Sequence, residues 1–291
     1  MALLKLFALF SFFIVFSFAH PSKWLSRSPC QGFCWKGWGN IQYMFTFGDS
    51  YSTTGFNVTS TQPTPEDPLG NPWYWGSTAS NGPDWVDYLT TTYNDSLILT
   101  YNLAFGGTTV DSSLVMQYLP TVLDLRQQVQ DEFLPKYGAK PAYAPWSSED
   151  TLFAIFIGTN DNASLNGDIF AIYSDLVDQL YATGARNFVF LNVPPVNRAP
   201  LTVVQGEATE QLDVFQFDTF TIFSEVLDWP GSYPQTALYI NTTDYCVAYE
   251  NGTATPDSFD PSCGIPVNEY FWLNILHQTY PMHKAMADSI A

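Results

Sequence analysis

Positive charge is scarce in this sequence. Ten lysines and arginines stand against 28 aspartates and glutamates, for a formal net charge of −18. A surface of that sign repels nucleic-acid phosphates and anionic membrane surfaces, so neither is an expected partner. Histidine is scarcer still, with only His20, His277 and His283. Any imidazole base must be one of these. Cysteine is limited to Cys30, Cys34, Cys246 and Cys263, and no histidine sits near either pair. That spacing argues against a zinc site, and no metal or organic cofactor is expected. Beyond the first twenty residues no apolar run is long enough to span a bilayer. Internal repeats and low-complexity linkers are absent, and the length fits one large α/β domain.

The N-terminus is the exception to the shortage of apolar runs. Lys5 precedes an apolar stretch from Leu6 to Phe18, interrupted only by small serines, and Ser17-Phe18-Ala19 has the small-x-small form of a cleavage site. Residues 1–19 read as a secretory signal peptide, which leaves 20–291 as a single secreted, extracellular domain. Oxidising surroundings favour disulfides, and proximity in sequence favours Cys30–Cys34 and Cys246–Cys263. Asn57, Asn94, Asn162, Asn241 and Asn251 each begin an N-glycosylation acceptor. Aromatic residues make up 17% of the chain. They suit core packing first and carbohydrate stacking second.

One short stretch carries the strongest signal for chemistry. Gln42 to Phe47 reads as a buried strand, broken by Gly48 and followed by Asp49 and Ser50, both good helix N-caps. A strand, a tight turn and a helix start would put the Ser50 hydroxyl at the carboxyl edge of a sheet, where open α/β sheets bind ligands. Further strands are expected at 97–101, 151–157, 187–191 and 237–240. Helices are expected at 83–89, 112–134, 168–183, 204–228 and 278–291, several of them on apolar spacings of three and four. This alternation predicts a mostly parallel sheet of about five strands covered on both faces. Residues 56–83 read as a long surface loop. Its Trp73 and Trp75 either line a sugar groove or fold back onto the core.

A serine nucleophile needs a base. His20 lies at the cleavage site, and His283 is six residues past His277 on a helix, so it faces elsewhere. His277 is the candidate. Gly48-Asp49-Ser50, then Gly107, then Gly158-x-Asn160-Asp161, then a C-terminal histidine resemble the four blocks of the GDSL or SGNH hydrolases. Ser50 to Asn57, with Asn81-Gly82-Pro83-x-Trp85, further resembles fungal acetyl esterases of carbohydrate esterase family sixteen. The resemblance implies a flavodoxin-like three-layer fold and removal of O-acetyl groups from plant cell-wall sugars. It also implies an oxyanion hole from the Ser50 N–H, the Gly107 N–H and the Asn160 amide. Where that superfamily commonly has Asp before the histidine, this chain has Asn274, and Gln278 replaces the usual Pro. An Asn274 carbonyl oxygen facing the imidazole would select the productive tautomer, whereas its NH2 group would select the wrong one. Two other readings stay open. One is a lipase for long acyl chains, although no apolar run near Ser50 stands out in the loops. The other is a carbohydrate-binding protein without catalysis.

Overall fold

Side-chain alternation along the first strand decides the architecture. In β1, Tyr43–Gly48, Met44 points into one apolar cluster while Phe45 and Phe47 point into another. Both faces are therefore buried, and each needs a covering layer. The structure is a computed structural model that describes residues 35–161, 167–205 and 217–291. The signal-peptide residues, the Cys30–Cys34 pair and the Asn162 acceptor lie outside them.

β1 pairs in parallel with β2, Leu99–Asn102, and with β3, Thr151–Phe156. β4, Asn187–Leu191, adds in parallel to β3, for a sheet order β2-β1-β3-β4. This is the start of the flavodoxin-like order. Register places Phe45 opposite both Tyr101 and Phe153, and its ring stacks on each, at 4.9 and 5.4 Å. Phe133, Tyr137 and Trp146 close this aromatic face with α4, Gly167–Ala182. The opposite face is covered by α1, Trp85–Thr91, by α6, Thr219–Asp228, and by α7, Tyr280–Ile290. The aromatic content thus goes largely into two cores.

Several elements differ from expectation. The sheet has four strands among the described residues, not five. Residues 237–240 form a turn, in which Tyr239 packs inward and Ile240 remains 68% exposed. No helix follows the nucleophile strand directly; residues 49–52 form a single turn. The helix expected over 112–134 begins only after Asp124, whose side chain caps α2, Leu125–Gln127. It runs through a π-helical turn, Gln128–Phe133, into α3, Leu134–Lys136. Leu114 and Tyr118, which with Val122, Leu125 and Val129 make the spacing of three and four behind that expectation, lie exposed in the preceding loop. The helix expected over 204–228 is seen as α5, Pro200–Gln205, and α6, with residues 206–216 outside the description. α1 starts two residues after Pro83, at an Asp84–Asp87 capping box. α7 starts at Tyr280 because Gln278 and Thr279 are held by the preceding loop, through the Trp272–Gln278 bridge and Thr279 N–H on Phe271 O.

Cys246 and Cys263 are disulfide-bonded, as sequence proximity predicts. The loop they close has more core than its composition implied. Tyr249, Val267, Tyr270 and Leu273 form a small buried cluster against the disulfide.

Candidate active site

The site begins with a glycine that the sheet requires. A Cβ on Gly48 would fall 2.0 Å from the Phe156 carbonyl oxygen of β3, so only glycine fits there. The chain then turns: the N–H groups of Ser52 and Thr53 both donate to Asp49 O at 3.1 Å. The Tyr51 N–H donates to Asp49 Oδ1 at 2.9 Å. Asp49 itself is inaccessible, and burial, with Asp161 nearby, pushes its carboxyl up to about 7. Its side chain organises the turn beneath Ser50 and leaves the Ser50 hydroxyl at the edge of the sheet.

His277 reaches that hydroxyl from the other end of the chain. It sits in a short loop closed by the Trp272–Gln278 bridge and by the Leu273 N–H on His277 O at 2.8 Å. Its Nε2 lies 2.7 Å from Ser50 Oγ. Its Nδ1 lies 3.0 Å from Asn274 Oδ1. The two orientations left open for Asn274 are decided by its other partners. Oδ1 also accepts the backbone N–H groups of Leu276 and His277, at 3.0 and 2.9 Å. Those groups can only donate, so the atom facing them must be the oxygen. The NH2 group points away, to Glu250 O at 3.4 Å. His277 Nδ1 therefore carries the proton, and Nε2 is free to accept from Ser50. With no carboxylate beside it, burial holds the imidazole down to about 4, so it is neutral at pH 7.

The second and third blocks arrive from the ends of β2 and β3. Gly107 has φ +84, a left-handed conformation that favours glycine. A Cβ on the adjacent Gly106 would be 4.0 Å from Ser50 Cβ, which places this loop against the nucleophile. Neither the Ser50 nor the Gly107 N–H donates to any described residue. Asn160 Nδ2 donates to Thr108 O at 2.9 Å. One amide hydrogen thus locks Asn160 beside the Gly107–Thr108 segment, and the second remains available. Asp161 accepts the Val110 N–H at 3.0 Å, fastening the same two loops together. Among the described residues no cluster of histidine, cysteine and carboxylate groups is arranged to hold a metal.

Ser50, His277, Asn274, Gly107 and Asn160 are therefore brought together. Trp73 and Trp75, read as lining a sugar groove or packing on the core, make no hydrogen bond or ring contact with any of them. Their loop packs on the segment after the nucleophile, through the Ser77 N–H on Thr54 O, with Trp73 77% exposed. Two other residues hold the site and escaped sequence reasoning. Tyr51 donates its hydroxyl to Leu276 O at 2.8 Å, tying the nucleophile turn to the histidine loop. Gln128, fully buried, accepts the Gly48 N–H at 2.9 Å and donates to Gly48 O at 2.8 Å and Thr108 Oγ1 at 3.0 Å. Its signal was readable: it shares a helix face with Leu125 and Val129, where a polar side chain needs a buried partner. Tyr51 offers no such signal.

Parts of the chain resemble known proteins. An acetylesterase from Thermothelomyces thermophilus is 43% identical over 181 residues, covering 59% of this chain and 60% of that protein. An acetylesterase from Hypocrea jecorina is 28% identical over 170 residues, covering 53% of this chain and 48% of that protein. A thermolabile hemolysin from Vibrio parahaemolyticus is 24% identical over 286 residues, covering 86% of this chain and 63% of that protein. The chain thus spans about half to three-fifths of the length of these curated relatives. The profile of the GDSL-like lipases and acylhydrolases matches residues 44–259, from the nucleophile strand past the Asn160 loop, so the chain belongs to the GDSL-like lipase/acylhydrolase family.

Proposed function

We propose that this protein is a secreted serine esterase that removes O-acetyl groups from plant cell-wall carbohydrates. One observation carries the reading: Asn274 Oδ1, His277 and Ser50 Oγ form a hydrogen-bonded chain with the tautomer that general-base chemistry needs. In this reading Ser50 Oγ attacks the ester carbonyl carbon and its proton passes to His277 Nε2. The oxyanion is held by the free Ser50 and Gly107 N–H groups and the remaining Asn160 amide hydrogen. Each such donor is worth about 3 kcal/mol in the transition state. Collapse breaks the bond to the alcohol, which leaves with the proton from His277, and the acetyl group stays on Ser50. Water, deprotonated by His277, then releases acetate and restores Ser50. The relatives named acetylesterase support the acetyl group, and the acidic surface suits a neutral sugar better than an anionic one.

Secretion rests on the signal-peptide form of residues 1–19, and N-glycans on exposed acceptors such as Asn57 and Asn251. Among the described residues no helix is long and apolar enough to cross a membrane.

A second reading has an observation of its own. No apolar run near Ser50 stands out in the loops by sequence, yet Phe105, Leu114, Met116, Tyr118 and Leu119 are all exposed on the segments flanking Gly107. Such a surface would suit longer acyl chains. A series of p-nitrophenyl esters from acetate to decanoate decides between them. The acetyl reading expects kcat/KM to peak at acetate or propionate and expects acetate release from acetylated xylo-oligosaccharides. A peak at octanoate or beyond refutes it.

A further inference from the structure

The exposed segment beside Gly107 is not a loose loop. Ser112 donates both its N–H and its hydroxyl to Asp124 Oδ2, at 2.9 and 2.7 Å. Ser113 does the same to Asp111 Oδ1, at 2.8 and 2.6 Å. Thr109 Oγ1 donates to Val115 O at 3.2 Å, and the Val122 N–H to Leu119 O at 3.2 Å. Between these anchors the chain presents Tyr118, which is 70% exposed. One edge of its ring lies against the oxyanion-side glycine: a Cβ on Gly107 would fall 2.1 Å from Tyr118 Cε1 and 2.6 Å from Cδ1. The ring stacks on no other aromatic side chain among the described residues, and its hydroxyl has no partner among them. A large side chain held in place, yet left uncovered and unbonded, costs hydrophobic burial.

Resting on the esterase reading above, we infer that Tyr118 is the platform on which the sugar ring of the acetylated substrate stacks. The ester carbonyl oxygen must face the Gly107 N–H, so the groups attached to the carbonyl carbon lie next to Gly107 and therefore next to this ring. An acetyl methyl is too small to cover it. The alcohol half of the substrate is a pyranose, whose C–H-lined face matches the electron-rich face of a flat aromatic ring. The free phenol oxygen stands ready to bond a sugar hydroxyl. A long acyl chain would draw on the neighbouring Phe105, Leu114, Met116 and Leu119 as well as on Tyr118, and the test below separates that outcome.

The test measures binding apart from turnover. The Ser50→Ala protein, full length, is titrated with acetylated xylotetraose by calorimetry, alone and combined with Tyr118→Ala or Tyr118→Phe. Far-UV circular dichroism and Tm confirm that each variant is folded. Tyr118→Ala should weaken Kd about tenfold or more, on the scale of aromatic stacking elsewhere, while Tyr118→Phe should weaken it less than about threefold. Equal Kd with and without the ring overturns the proposal, as does failure of the Ser50→Ala protein to bind the sugar. A Tyr118→Ala enzyme whose preference moves to longer acyl esters while sugar binding is unchanged makes Tyr118 an acyl-length gate, and also overturns it. If the wild type releases no acetate from this substrate, the esterase reading fails separately, and the ratio of Kd values still decides the role of Tyr118.

Discussion

Asn274 sets what His277 can do. A neutral amide fixes the imidazole tautomer but gives the imidazolium no opposite charge, so burial alone governs the ring and holds it down to about 4. Catalysis needs the neutral ring. Activity should persist as pH falls to about 5 and disappear only as pH passes through about 4. In Asn274→Asp, a carboxylate beside the ring favours the charged form, and the acid limb of kcat/KM should move up by about one unit or more. A pH–rate profile of both proteins checks this; an unshifted limb means that His277 is not the titrating base. Tyr51→Phe should lower kcat by about tenfold with KM for p-nitrophenyl acetate nearly unchanged, because losing the bond to Leu276 O loosens the histidine loop relative to Ser50. Steady-state kinetics with Tm as control separates this from simple destabilisation. At this scale Ser50 and His277 were legible from the strand-turn stretch and the shortage of histidines, whereas Gly107 and Asn160 were legible only through the resemblance of their blocks to the GDSL or SGNH pattern. The orientation of Asn274 was not, since it depends on two backbone N–H groups that only the folded loop aligns.

Elements place these residues, and one of them is closed by a covalent bond. The loop between Cys246 and Cys263 carries Glu250, whose carbonyl accepts from Asn274 Nδ2. Its small core packs Leu273 beside Asn274. The double substitution Cys246→Ser, Cys263→Ser should therefore reduce kcat several-fold in protein that remains folded, besides lowering Tm through the loss of a cross-link worth about 3 kcal/mol. Unchanged kcat with a lower Tm would leave the disulfide a staple and nothing more. The strands were readable because their apolar runs are buried on both faces. Residues 237–240 have the same look, but a four-residue run does not distinguish a strand from a packed turn. The expected helix over 112–134 failed for a related reason. Spacing counted Leu114 and Tyr118 as core, whereas the capping box at Asp124 starts the helix later and leaves both facing solvent.

Among the described residues Asp49, Asp84, Asp87 and Asp161 are buried, and none of them forms an ion pair. Burial raises the carboxyls of Asp49 and Glu132 to about 7 and of Asp161 to about 6, and burial with mutual repulsion raises the Asp84–Asp87 pair. Between the unfolded range near 4 and these values the folded state binds more protons, so stability falls as pH rises through that window. His277 and His283, held down to about 4 and about 3, act oppositely below about 6.5 and not above it. Self-repulsion from the net charge of −18 adds to the loss at higher pH. Tm measured calorimetrically should thus decline from about pH 6.5 to pH 8; a flat or rising Tm would place these carboxyls in wetter surroundings than the fold shows. The proposed activity rests on Ser50. The most direct measurement is acetate release from p-nitrophenyl acetate and acetylated xylo-oligosaccharides by the wild type beside a folded Ser50→Ala protein. Turnover is expected of the wild type, with a loss of at least about 10³-fold in the variant. Comparable rates in both, or a wild type that binds the sugar without hydrolysing any ester, would contradict it.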